Sequence, residues 1–270
     1  MRRRDFLFRS GLVTAGIVAS TATTGVAEDA GGAKNRIFEI RTYHFASSAR
    51  REAFEKFVAA AAVAAWNRAG AKPVGVFRLF AKDNPDLKLS EDPQELWVFL
   101  PHKSPAAMVD FEERLAADKE FQSAGEAILS APKSDPAFTR YENMLLRPMS
   151  GSPNVATPSR DAESLFEMRT YESPNLERHL NKLAMFSAGE FGAFERAGMP
   201  GIFFGGAIAA SNLPQLTYMV LHRDADGVKK QWTAFGADPD WQKLKSDPQY
   251  KDNVSKIIKR FLRAAAGSQI

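Results

Sequence analysis

Phe38-Glu-Ile-Arg-Thr-Tyr43 and Phe166-Glu-Met-Arg-Thr-Tyr171 are one hexapeptide written twice, with Ile40 exchanged for Met168. A self-match at this distance is the signature of a duplicated unit. Three more pairs follow in the same order: Pro101-His102-Lys103 with Leu221-His222-Arg223, Asp118-Lys-Glu-Phe121-Gln122 with Asp238-Pro-Asp-Trp241-Gln242, and Leu146-Arg147 before Gly151-Ser152 with Leu262-Arg263 before Gly267-Ser268. The separation of the pairs shrinks along the chain, which places shorter loops in the second copy. Pro148 to Arg160 is rich in Pro, Ser, Gly, Asn and Thr, a linker composition. The expected organisation is a first unit at 36–147, a linker at 148–163 and a second unit at 164–264.

Each unit reads strand, helix, strand, strand, helix, strand. In the first, apolar alternation and β-rich runs mark strands near 38–43, 74–80, 95–100 and 138–147. A helix runs from Ser48 to Ala69 and stops at Gly70, and another starts at Ser104 with Pro105 in the first helical position. In the second, strands are expected near 165–172, 201–209 and 215–222 and helices near 175–197 and 224–247, while 253–263 suits either strand or helix. This order is the split βαβ, ferredoxin-like plan, whose sheet is covered by helices on one face only. Two such units bury their bare faces by packing on each other. The predicted fold class is therefore α+β, with two tandem ferredoxin-like units packed sheet to sheet as a pseudo-two-fold α+β barrel.

Hydrophobic content of 44% and charged content of 25% are those of a globular protein. The net charge of +4 comes mostly from Arg2, Arg3, Arg4 and Arg9 against Asp5, so the body offers no basic footprint for nucleic acid. Residues 1–27 read as a signal peptide: a cationic start, a mild apolar stretch and small residues at Gly25-Val26-Ala27, with cleavage between Ala27 and Glu28 and a short linker at 28–35. Arg3-Arg4-Asp5-Phe6-Leu7 resembles the core of a bacterial twin-arginine export signal, although Arg2 and Phe8 depart from its flanks. Arg3, Arg4, Phe6 and Leu7 carry that resemblance, which implies the twin-arginine machinery as a partner and a periplasmic or secreted address. The apolar stretch is too short and too rich in Thr for a stable membrane span. The chain has no cysteine, which excludes disulfides, thiolate nucleophiles and Cys-ligated metals.

The F-E-[IM]-R-T-Y opening, the Trp232-Thr-Ala-Phe235 to Asp238-Pro-Asp-Trp241 segment and the terminal Leu-Arg resemble the NIPSNAP family, in two copies. The resemblance implies the dimeric α+β barrel fold, shared with small antibiotic-biosynthesis-type monooxygenases that bind ligands in the barrel, and implies no single reaction. The first copy departs from the pattern, with Phe111 and Phe121 near or at the places of Trp232 and Trp241 and a longer loop from Lys82 to Gln94. Activity is then expected to reside in one half.

Strand alternation puts Glu39, Arg41 and Tyr43 on one face and Phe38, Ile40 and Thr42 on the other; Glu167, Arg169 and Tyr171 repeat the arrangement. With the apolar face under the helices, both Glu-Arg-Tyr triplets would point between the sheets. There Glu39, Arg41, Glu167 and Arg169 would bind an anionic or carbonyl-bearing ligand, with Tyr43 and Tyr171 as hydroxyl acids. The alternative is an ion-pair network closing the interface between repeats. His102 and His222, at equivalent strand ends, are the candidates for proton transfer, against a capping role. His44 and His179 have no counterparts and are expected at the surface. Trp232, Phe235 and Trp241 form a core stripe, and Gly201–Gly206 a strand with a bulge rather than a phosphate loop. No cofactor is indicated, and four scattered histidines make no metal site. The functional expectation is an exported protein binding a small organic molecule in the barrel cleft, with oxidative or acid–base conversion left open. The rival is a non-catalytic interaction module, and either allows further oligomerisation.

Overall fold

The computed structural model describes residues 35–270. The leader, including Arg3, Arg4, Phe6, Leu7 and the Ala27–Glu28 bond, lies outside the described residues. The first unit runs β1 (Ile37–His44), α1 (Ser48–Phe57), a wide π turn at Val58–Ala62, α2 (Val63–Arg68), β2 (Gly75–Leu79), β3 (Glu95–His102), α3 (Pro105–Val109), α4 (Phe111–Ala117), α5 (Lys119–Leu129) and β4 (Arg140–Pro148). The second repeats the order: β5 (Leu165–Glu172), α6 (Leu176–Met185), a π turn at Phe186–Glu190, α7 (Phe191–Arg196), β6 (Gly201–Ala209), β7 (Gln215–His222), α8 (Ala225–Ala237), α9 (Pro239–Ser246) and β8 (Lys256–Ala264). The segment that suited either helix or strand is β8; β-branched Ile257 and Ile258 and its two pairing neighbours decide it.

Local chemistry sets the helix starts. Ser47, Ser104, Asn175 and Asp224 each accept a backbone N–H from the first turn of their helix. Pro105 and Pro239 occupy first-turn positions where no N–H is needed.

Among the described residues, eight antiparallel strands close in the order β1-β3-β2-β8-β5-β7-β6-β4. Within each unit the first strand is central, and the two units join where β2 pairs with β8 and β4 with β6. Closure leaves no unpaired edge, the liability of an isolated ferredoxin-like sheet. The segments after β4 and β8 cross to the other unit: Met149 N–H donates to Phe204 O, and Gln269 N–H donates to Val74 O.

Apolar side chains fall into three clusters. Phe38, Phe77, Phe99, Phe166, Phe203 and Met219 fill the barrel, with Phe99 and Phe203 stacked at 4.6 Å. The other two lie between each half of the wall and its helices. The middle of the barrel is filled, with about 10 Å³ left among Phe77, Phe99, Phe203 and Met219. An opening of about 140 Å³ at one end is lined by Ile40, Thr42, Trp97, Met168, Thr170 and Arg260, so the ligand cleft expected inside is confined to that end.

Candidate functional site

The faces of β1 and β5 are the reverse of those expected. Phe38, Ile40, Phe166 and Met168 point into the barrel, while Tyr43 and Tyr171 belong to the helix-side clusters. Glu39, Arg41, Glu167 and Arg169 share that outer face and lie beneath the helices. The reason is partnership: inside the barrel these positions would meet mostly Phe, Leu and Met side chains, whereas the helix layer supplies His, Gln, Glu and Trp partners.

In the second unit Arg169 Nε donates to Glu167 Oε1 at 2.6 Å, and His222 Nε2 and Trp232 Nε1 donate to Glu167 Oε2 at 2.7 and 2.6 Å. The Trp232 ring covers the Arg169 guanidinium at 3.5 Å, and His222 Nδ1 meets Gln231 Oε1 at 2.6 Å. The first unit repeats the frame with different flanks. Arg41 donates to both oxygens of Glu39, His102 Nε2 donates to Glu39 Oε2 at 2.7 Å, and Arg41 also reaches Glu112 at 2.8 Å. Burial opposes ionisation of Glu39 and Glu167, but the histidine hydrogen bonds and the arginine charges outweigh it and hold both carboxyls below their ordinary range.

His102 and His222 are 2% and 0% exposed and occupied by carboxylates of their own unit. Each network closes within one unit, not across the interface between repeats. Its hydrogen bonds and ion pairs tie the wall to the helices.

Next to it the second unit carries polar groups that the first lacks. Tyr171 and Tyr218 share a hydroxyl–hydroxyl bond of 2.8 Å, and burial pushes both phenols up. Lys182 Nζ donates to Glu190 at 2.6 Å beneath the rings of Phe186, Trp241 and Tyr171. The corresponding first-unit residues are Phe54, Ala62 and Val98, all apolar. Tyr43 there packs against Phe54, Phe138 and Tyr141.

An opening of about 590 Å³ lies outside the barrel, between α6 and the β4–β6 part of the wall. Leu176, Leu180, Leu183 and Ala184 form one side, and Arg147, Gly206, Ile208 and Leu213 the other. His179, expected at the surface, is 5% exposed and lines this cleft, with Nδ1 buried and unpartnered. Burial pushes its imidazole below the ordinary value, which keeps it neutral. His44, by contrast, is partly exposed between Glu95 and Glu142.

Matching the repeats shows why the cleft opens. His179, Leu183 and Gly206 stand where the first unit has Arg51, Glu55 and Arg78. There Glu55 bridges Arg51 at 3.3 Å and Arg78 at 3.0 Å. Replacing an Arg–Glu–Arg triad by imidazole, leucine and glycine removes both side-chain volume and charge. A Cβ at Gly206 would come within 3.2 Å of Leu183 and 3.4 Å of His179. Residue-type motifs missed this site because its signal is the difference between copies, column by column.

Among the described residues, no group of three His, Cys, Asp or Glu is arranged to hold a metal ion, and no helix is long and apolar enough to cross a membrane.

The NIPSNAP family model matches residues 166–269, the span of the second unit. Two solved structures share the whole fold. A protein provisionally named a monooxygenase from Lactobacillus acidophilus aligns over 87% of this chain and 98% of its own, with 11% identity and a TM-score of 0.54. Another so named, from Fusobacterium nucleatum, aligns over 86% and 93%, with 8% identity and a TM-score of 0.56. At these identities the likeness is one of fold. No curated protein matches the sequence.

Proposed function

We propose, from a second unit that matches the NIPSNAP family model, that this chain is a tandem NIPSNAP protein that binds a small, largely apolar molecule in the α6–β6 cleft. The first unit is its diverged copy, supported by the repeated hexapeptide and the shared Glu–Arg–His frame. The observation that carries the ligand is the exchange of a half-buried ion triad for a largely apolar cleft of about 590 Å³, a size suited to an organic ligand. One buried, unpartnered imidazole among apolar walls is the usual composition of such a site. The Glu–Arg–His networks act as clamps and do not line it.

Nile red, a neutral apolar dye, tests this. Saturable binding at one site is expected, and Ala184→Trp, at an exposed cleft position, should weaken it at least tenfold without changing the unfolding midpoint. Equal dye affinity in the variant would place the site elsewhere. No binding by either would favour the interaction module, with Leu176, Leu180 and Leu213 as its contact surface.

We further propose that residues 1–27 direct export by the twin-arginine route, on the strength of Arg3-Arg4-Asp5-Phe6-Leu7 and the small residues before Glu28. Mass spectrometry of the chain recovered from the periplasm of an exporting host should give Glu28 as the first residue. The Arg3→Lys, Arg4→Lys double variant should remain unprocessed in the cytoplasm.

A further inference from the structure

We infer that the ligand of this cleft is an apolar monocarboxylic acid whose carboxylate is held by Arg147; the inference rests on the cleft being the ligand site.

The argument comes from the other half of the molecule. Arg147 on β4 and Arg263 on β8 are counterparts in the repeat, each following an inward-facing leucine, Leu146 or Leu262. Their settings in the wall correspond as well. Arg263 lies opposite Arg78 where β8 meets β2, and Arg147 lies opposite Gly206, the counterpart of Arg78, where β4 meets β6.

Arg263 is neutralised by a planar two-point contact with Asp83, Nε to Oδ2 at 2.7 Å and Nη2 to Oδ1 at 3.0 Å, and by Glu163 at 3.5 Å. Asp83 comes from the long connection between β2 and β3. The connection between β6 and β7 is Ala210-Ser211-Asn212-Leu213-Pro214, shorter and without an acid. Arg147 consequently makes no ion pair among the described residues, and no aspartate or glutamate lines the cleft.

A fork of guanidinium donors that its twin uses on a carboxylate is matched in shape and charge to a carboxylate brought by a ligand. Behind Arg147 the walls are Leu180, Leu183, Ile208 and Leu213, which accept only an apolar body. His179, neutral and unpartnered at Nδ1, adds a hydrogen-bonding group without a second charge. The required molecule is amphipathic: one carboxylate at the rim and a hydrocarbon body, aliphatic or aromatic, inside.

Calorimetric titration of the full chain with four probes tests this: decanoate and 2-naphthoate, and their neutral isosteres decanamide and 2-naphthamide. At least one acid should bind tenfold or more tightly than its amide, and which acid does so distinguishes an aliphatic from an aromatic body. Arg147→Met, at an exposed position, should reduce acid affinity to that of the amide and leave amide affinity unchanged. Acid and amide binding equally, or an unchanged acid affinity in Arg147→Met, would overturn the carboxylate assignment and leave the cleft intact. Nile red binding without any of the four probes would have the same meaning. Loss of Nile red binding as well would instead remove the ligand site.

Discussion

Glu167→Ala is expected to cost about 3–5 kcal/mol of folding stability, lowering the melting temperature by roughly 10 °C, because it leaves a buried cation without its partner. Glu167 is the acceptor for Arg169, His222 and Trp232 together, and Arg169 has no other ion-pair partner among the described residues. Glu39→Ala should cost less, since Arg41 retains Glu112 at 2.8 Å. Urea unfolding of both variants, with unchanged slopes, makes the comparison; equal losses would mean that Glu112 does not compensate. The same carboxyl governs acid stability. Burial works against its charge, yet the His222 bond and Arg169 hold its pKa below the ordinary 4.5. A carboxyl depressed on folding contributes its full stabilisation above the unfolded pKa and loses it as pH falls through the folded one. Wild-type stability should therefore drop below about pH 4.5, and Glu167→Gln should flatten part of that drop.

Lys182→Ala should cost a comparable 3–5 kcal/mol, whereas Lys182→Met combined with Glu190→Leu should match or exceed wild-type stability. The single change strands Glu190, which is 1% exposed and paired to Lys182 at 2.6 Å. Burial pushes the Glu190 carboxyl up, and Lys182 offsets this only in part. A carboxyl raised on folding loses stability as pH rises through its window, so the buried pair carries a cost that the apolar double variant lacks. The first unit supplies the precedent, since Phe54 and Ala62 occupy the same positions and fold without charge. Thermal unfolding of the three proteins at neutral pH decides it. A double variant as damaged as the single one would mean that the pair shapes the second unit beyond its own neutralisation.

The repeat made most of the architecture legible. A hexapeptide duplicated at domain distance implies two copies of one unit, and the strand–helix order implies a sheet with one bare face, which has to be buried. The pairing of His102 with His222 as equivalent strand-end residues was legible too, and each does meet the glutamate of its own hexapeptide. Which face of β1 turns inward was not. Period-two alternation separates Phe38 and Ile40 from Glu39 and Arg41 but says nothing about the side on which the helices lie. Both faces had a claim to burial, and partners from other elements decided between them: Glu112 and His102 for Glu39 and Arg41, and Trp232 and His222 for Glu167 and Arg169.

His179 shows the limit more sharply. In sequence it is an isolated histidine on an amphipathic helix, and nothing local distinguishes it from a solvated one. Its burial follows from the packing of α6 over Gly206, and its role in a cleft from the absence of the ion triad that fills the matching place in the first unit. By itself the sequence determined the duplication, the α+β class and the two-unit barrel, because periodicity and repetition are properties of order along the chain. The inward face, the filled middle of the barrel and the cleft beside Arg147 were decided only by the tertiary structure, because each depends on which distant side chains share a space.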